Sequence, residues 1–145
     1  MKIQVVINQT PVGGYLHINP RNGDNIKELP CPNSEATEII AETICDYIPR
    51  HQLGGVIYHY VSKLRHGGRI VIGGTEIKEL AKTIIFDDDF EGFNQSIFGN
   101  FADTWSIKSG VSSIIEIVDT LTGYGLKITK KRIDNCQFIV EAVRD

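Results

Sequence analysis

The sequence predicts a mixed α/β protein built on a mostly parallel sheet. Three observations carry that prediction. Short β-branched runs alternate with segments of helical period through the first two-thirds of the chain. Glycine pairs stand at the junctions between them, and two strand-like runs follow one another directly at the C-terminus.

Taken in order, residues 2–7 (KIQVVI) are short and β-branched and read as a buried strand. Pro11 and Gly13-Gly14 break the chain before a second short strand at 15–18, which the turn-rich segment 19–25 closes. Leu29-Pro30-Cys31-Pro32 reads as extended, because each proline biases its predecessor away from the helical region. Residues 34–48 are ambiguous: Ile39, Ile40, Ile44, Tyr47 and Ile48 have helical spacing, yet EIIAE also fits a buried strand. Leu53, Ile57, Val61 and Leu64 recur at intervals of four, four and three, which predicts a helix over 52–65 stopped by Gly67-Gly68. Arg69–Ile72 then reads as a strand ended by a turn at Gly73-Gly74. Thr75 is placed to cap a helix bearing Ile77, Leu80, Ala81, Ile84 and Ile85 on one face. Residues 86–110 are loop-like. Ser113 and Glu116 have capping-box spacing before a helix to about Thr122. Strands at Leu126–Lys131 and Gln137–Val143 complete the chain, joined through Ile133-Asp134-Asn135.

Composition narrows the function. At 145 residues the chain is about one domain long, with no linker or repeat, and 41% hydrophobic and 23% charged residues are ordinary for a globular protein. The net charge of −3 and the small basic cluster at Lys127 and Lys130-Lys131-Arg132 argue against nucleic acid as a partner; the cluster reads as a solvated strand end. No apolar run is long enough for a membrane span, and the N-terminus lacks signal-peptide features, which predicts a cytoplasmic protein with no membrane role. Cys31, Cys45 and Cys136 are too few and too scattered for a disulfide framework or zinc site, so they are expected as reduced thiols.

The middle of the chain carries a family pattern. LPCPNSEATEIIAETICDYIP, a helix, and then Leu64-Arg65-His66-Gly67-Gly68-Arg69-Ile70-Val71-Ile72 resemble a segment of small class I S-adenosylmethionine methyltransferases. The N-terminal KIQVVINQTPVGGYLHINP resembles that family's first strand, cofactor loop and second strand. GYGLKI and CQFIVEAVR resemble its closing antiparallel pair. The resemblance implies a single Rossmann-like methyltransferase sheet of seven strands or slightly fewer, with helices on both faces, and makes residues 38–42 a strand.

It also implies S-adenosylmethionine as cofactor, at Ile7, Asn8 and Gln9 for the loop, Asn19 for the ribose and Asn25 near the adenine. Those positions depart from the family pattern. No glycine precedes Gly13, so the close backbone approach of a cofactor loop is lost, and Asn19 replaces a carboxylate. Asp46-Tyr47 stands where the family has a Glu-His turn. Cofactor binding is therefore expected to be weak or absent. Two functions follow: a divergent methyltransferase acting on a small molecule, sugar or protein, or a non-catalytic relative serving as an interaction module with a protein partner or in a homo-oligomer.

Other chemistry has little support. The four histidines lack metal-ligand spacing, and Asp87-Asp88-Asp89 with Glu91 lacks the alternation of a calcium loop and reads as a solvated turn. Phe98, Phe101 and Trp105 are expected to bury the 86–110 segment or to face a partner chain.

Overall fold

A computed structural model describes residues 1–145. Six strands, β1 (Lys2–Val5), β2 (Leu16–Ile18), β3 (Ala36–Ala41), β4 (Leu64–Thr75), β5 (Leu126–Asp134) and β6 (Gln137–Arg144), form one sheet in the order β2-β1-β3-β4-β6-β5. The first four are parallel, and β6 runs antiparallel to both β4 and β5. Helices α1 (Ile44–Tyr47) and α2 (Arg50–Lys63) connect β3 to β4; α3 (Ile77–Asp87), α4 (Phe90–Phe98) and α5 (Ile114–Gly123) connect β4 to β5. No helix is long and apolar enough to cross a membrane.

Strand alternation and register select the core. Ile3, Ile39, Ile70 and Ala142 are cross-strand partners in succession, and Val5, Ala41, Ile72, Phe138 and Val140 share their face. All are buried in one cluster that also takes Leu53, Val56, Ile57, Tyr60 and Val61 of α2 and Ile117 and Leu121 of α5. Each fully buried isoleucine there contributes roughly 1.5–3 kcal/mol. The two helices lie side by side: Arg50 forms an ion pair with Glu116, and the Tyr124 hydroxyl donates to the Gly54 carbonyl at 2.9 Å. The opposite face of the sheet carries charge, with the Arg69 guanidinium held between Glu38 and Glu141.

The crossover from β1 to β2 contains no helix, although parallel strands are usually joined through one. A buried glutamine takes its place as the anchor. Gln4 donates to the Thr10 carbonyl at 3.1 Å and accepts from the Val12 amide at 2.8 Å, which pins the connection over the charged side of β1.

Several sequence expectations are corrected. Gly67-Gly68 does not stop α2; the helix ends at Lys63, and the glycines lie within β4 where pairing with β3 slips between Leu64 and Arg69. Gly73-Gly74 is not a turn but part of β4, because a Cβ on Gly73 would stand 2.3 Å from the Glu42 carbonyl oxygen and 2.6 Å from that of Phe138. Glu76, not Thr75, caps α3, accepting from the Lys78 amide at 2.7 Å. Ile85 is exposed rather than part of a buried face. The expected loop at 86–110 contains α4 and a 3-10 turn at Thr104–Ser106. The turn between β5 and β6 is Asn135-Cys136, with φ of 48° and 60°. The ambiguity at 34–48 resolves as strand and then helix, because Ile39 and Ala41 are needed between β1 and β4.

Candidate functional site

The strand order reverses at β1: the chain leaves it for β2 on one side and returns to β3 on the other. The carboxyl ends of β1 and β3 therefore diverge, which is where open α/β sheets place ligands. Ile7 and Asn8 follow β1 there. Ile7 is fully buried, and its carbonyl accepts from the Thr43 hydroxyl at 2.9 Å. Asn8 has φ of 57°, a left-handed conformation that asparagine tolerates better than most residues. Its side-chain amide donates to the Tyr47 hydroxyl at 2.7 Å and to the Trp105 carbonyl at 2.9 Å. Gln9 is half-buried beside it.

The other two sequence-derived positions stand apart. The Asn19 side chain accepts from the Arg21 amide at 2.9 Å, capping a 3-10 turn, while its backbone amide donates to Asp24 at 2.9 Å. Asn25 is exposed, accepts from the Lys27 amide at 2.9 Å, and lines a separate hollow of about 270 Å³ with Asp24 and Glu28. Ile7, Asn8 and Gln9 thus form one group, with Asn19 and Asn25 each engaged in its own turn.

Between α4 and the strand ends lies a cleft of about 490 Å³ bounded by Asn8, Tyr47, Gln95, Ser96, Ser106 and Lys108. The volume suits a small ligand, although the lining is polar rather than apolar. Behind it sits a cluster whose members the sequence did not bring together. The Asp46 carboxylate is buried and accepts the Thr75 amide at 2.8 Å and the Thr75 hydroxyl at 3.0 Å. Lys108 Nζ lies 3.5 Å from that carboxylate and donates to the Thr75 hydroxyl at 3.2 Å and to the Ser96 carbonyl at 2.9 Å. Burial pushes the Asp46 carboxyl above its ordinary range, opposed by the Lys108 charge. This wall of the cleft is an internally compensated ion pair whose donors are already engaged.

Segment 100–108 crosses the same sheet edge. Asp103 pairs with Arg21 at 2.8 Å, and Ser106 donates to Asp103 at 2.7 Å. The hydrogen bonds from Arg21 hold the Asp103 carboxyl well below the usual carboxylate range. Trp105 is half-buried and packs against the core cluster, whereas Phe98 and Phe101 are exposed. Arg21, Asp103 and Lys108 carry no local sequence signal. Asp46-Tyr47 did, as the counterpart of a family turn.

No protein-family model matches the sequence, and no curated protein matches it. The fold does match solved structures. A S-adenosylmethionine-dependent methyltransferase from Methanosarcina mazei superposes with a TM-score of 0.64 at 13% identity, over 99% of this chain and 82% of that one. Magnesium protoporphyrin IX methyltransferase from Synechocystis, solved with bound S-adenosylhomocysteine, gives 0.60 at 14% identity over 90% of this chain. This chain spans 52% of the length of the Synechocystis enzyme. A S-adenosylmethionine-dependent methyltransferase from Mesorhizobium loti gives 0.59 at 11% identity, over 93% and 72% of the two chains.

Proposed function

We propose that this chain, which has the fold of the class I S-adenosylmethionine-dependent methyltransferases, is a non-catalytic relative acting as an interaction module. Fold alone does not assign activity, so the reading rests on the sheet edge. The single observation that carries it is the bond from the Asn8 amide to the Trp105 carbonyl. With the Arg21–Asp103 pair, it lays the chain's own segment across the ends of β1 and β2. The residues there do not fit S-adenosylmethionine. The Ile7 carbonyl is used by Thr43, the Asn8 amide is doubly engaged, and Asn19 holds its own turn instead of offering a carboxylate to a ribose. A loop with no glycine before Gly13, in place of a helix-led crossover, removes the close backbone approach as well.

Calorimetric titration of the purified chain with S-adenosylmethionine and S-adenosylhomocysteine tests the proposal. No heat of binding is expected at millimolar ligand. A micromolar dissociation constant overturns it.

One observation favours a second reading, a divergent methyltransferase. The polar cleft of about 490 Å³ reaches Asn8 and Tyr47 directly, and methyl transfer depends chiefly on positioning of the reacting groups. Under this reading S-adenosylmethionine would supply the methyl group, and the Tyr47 hydroxyl would orient the acceptor. Micromolar binding together with transfer of a labelled methyl group would establish it.

A further inference from the structure

The segment from the end of α3 to residue 101 leaves large apolar side chains in solvent. Ile85, Phe86, Phe90, Phe98 and Phe101 are each at least 50% exposed, and α4 buries none of its own residues. Large apolar side chains left exposed along one segment mark a contact site. The same segment is acidic: Asp87, Asp88, Asp89 and Glu91 are exposed, without an ion-pair partner, and no Lys or Arg occurs between Lys82 and Lys108.

The same chain carries the complementary surface. β5 is an edge strand, paired only with β6, and its Lys127, Lys130, Lys131 and Arg132 are exposed and equally unpaired. Ile133 beside them is 43% exposed. A hollow of about 370 Å³, bounded by Arg132, Asp134, Asn135, Gln137 and Ile139, opens on this hairpin and is large enough for an aromatic side chain. Lysines on an edge strand discourage strand-to-strand addition, so the contact is one of side chains.

The start of α3 and the turn of the basic hairpin meet at one end of the sheet. Thr75, at the end of β4, pairs with Gln137, and the Glu76 amide donates to the Cys136 carbonyl at 2.8 Å. A two-fold axis near that end would bring each copy's acidic, apolar α3–α4 surface onto the other's basic hairpin and make the same contact twice, as a closed symmetric dimer requires. We propose that a second copy of this chain docks in this way, with Phe86, the most exposed of the five, seated in the hollow and the two charge sets paired around it.

Sedimentation velocity of the full chain at low salt tests the proposal. A dimer of twice the 16.2 kDa chain mass is expected, with its dissociation constant rising on the order of tenfold or more in high salt. Phe86→Asp and the reversal Lys130→Glu/Lys131→Glu should each yield monomers. Adding Asp87→Lys/Glu91→Lys to the lysine reversal should restore the dimer, and far-ultraviolet circular dichroism should show every variant folded. A wild-type monomer at high micromolar concentration overturns the proposal. So does a dimer indifferent to charge reversal, or a combined variant that stays monomeric.

Discussion

Asp46 and Thr75, 29 residues apart, are joined by two hydrogen bonds: one carboxylate oxygen accepts the Thr75 amide at 2.8 Å and the other its hydroxyl at 3.0 Å. The pair ties α1 to the last residue of β4, and Lys108 closes it from the cleft side. Removing the carboxylate leaves a buried amide without an acceptor and a largely buried ammonium without a counter-charge. Asp46→Ala should therefore cost about 3 kcal/mol in urea denaturation.

The same group gives stability a pH slope. Its folded pKa is raised by burial, so the folded state binds the proton more tightly than the unfolded chain. Stability from this group is present below the ordinary carboxylate pKa and falls as pH rises through the raised value. Thermal melts of wild type against Asp46→Asn across the mildly acidic range should show that slope only in the wild type.

The Arg21–Asp103 pair responds in the opposite sense. Hydrogen bonding to Arg21 depresses the Asp103 pKa, so its contribution is present above the ordinary carboxylate value and lost as pH falls through the depressed one. Trp105 lies two residues from Asp103 and is half-buried against the core. Its emission should stay constant from neutral pH to about pH 4 and shift to the red only below that. Asp103→Asn should produce the red shift at neutral pH.

Gly73 is confined by backbone from two directions, Glu42 and Phe138. Phe138 cannot move without breaking its pairing with β4, and Glu42 belongs to the turn that begins right after β3, so Gly73→Ala should destabilise by roughly 3 kcal/mol or more, or prevent folding. Gly13 has nothing within 4 Å of an added Cβ, and Gly13→Ala should remain within about 0.5 kcal/mol of wild type. Chemical denaturation of both variants checks the contrast.

Tyr60 is fully buried and donates its hydroxyl to the Ile26 carbonyl. Tyr60→Phe keeps the ring's packing but strands that carbonyl, at a cost of about 1–2 kcal/mol. Unfolding measured by tryptophan fluorescence and by circular dichroism should agree on the loss.

The sequence was legible where one segment satisfied itself. The interval pattern of Leu53, Ile57 and Val61 identified α2, and the Ser113–Glu116 spacing identified the start of α5, where the Ser113 amide donates to the Glu116 carboxylate at 3.4 Å. The Ser113 hydroxyl, though, goes to Glu76 at 2.8 Å, a partner that no local pattern names. α4 was missed because Gly92 and Asn94 are poor helix formers and its face is not buried. Asp89, whose side chain accepts from the Gly92 amide at 3.0 Å, was the available cue.

Period, capping and hairpin chemistry act over a few residues, so α2, the start of α5 and the terminal antiparallel pair were written locally. The cleft was not. Asn8 meets Trp105 across 97 residues and Arg21 meets Asp103 across 82, contacts that exist only because the sheet order brings the ends of β1 and β2 beneath segment 100–108. Hydrogen bonds between distant groups depend on that geometry and leave no period along the chain. The glycines of β4 illustrate the division: composition marked them as breaks, and the backbone packed on either side made them strand.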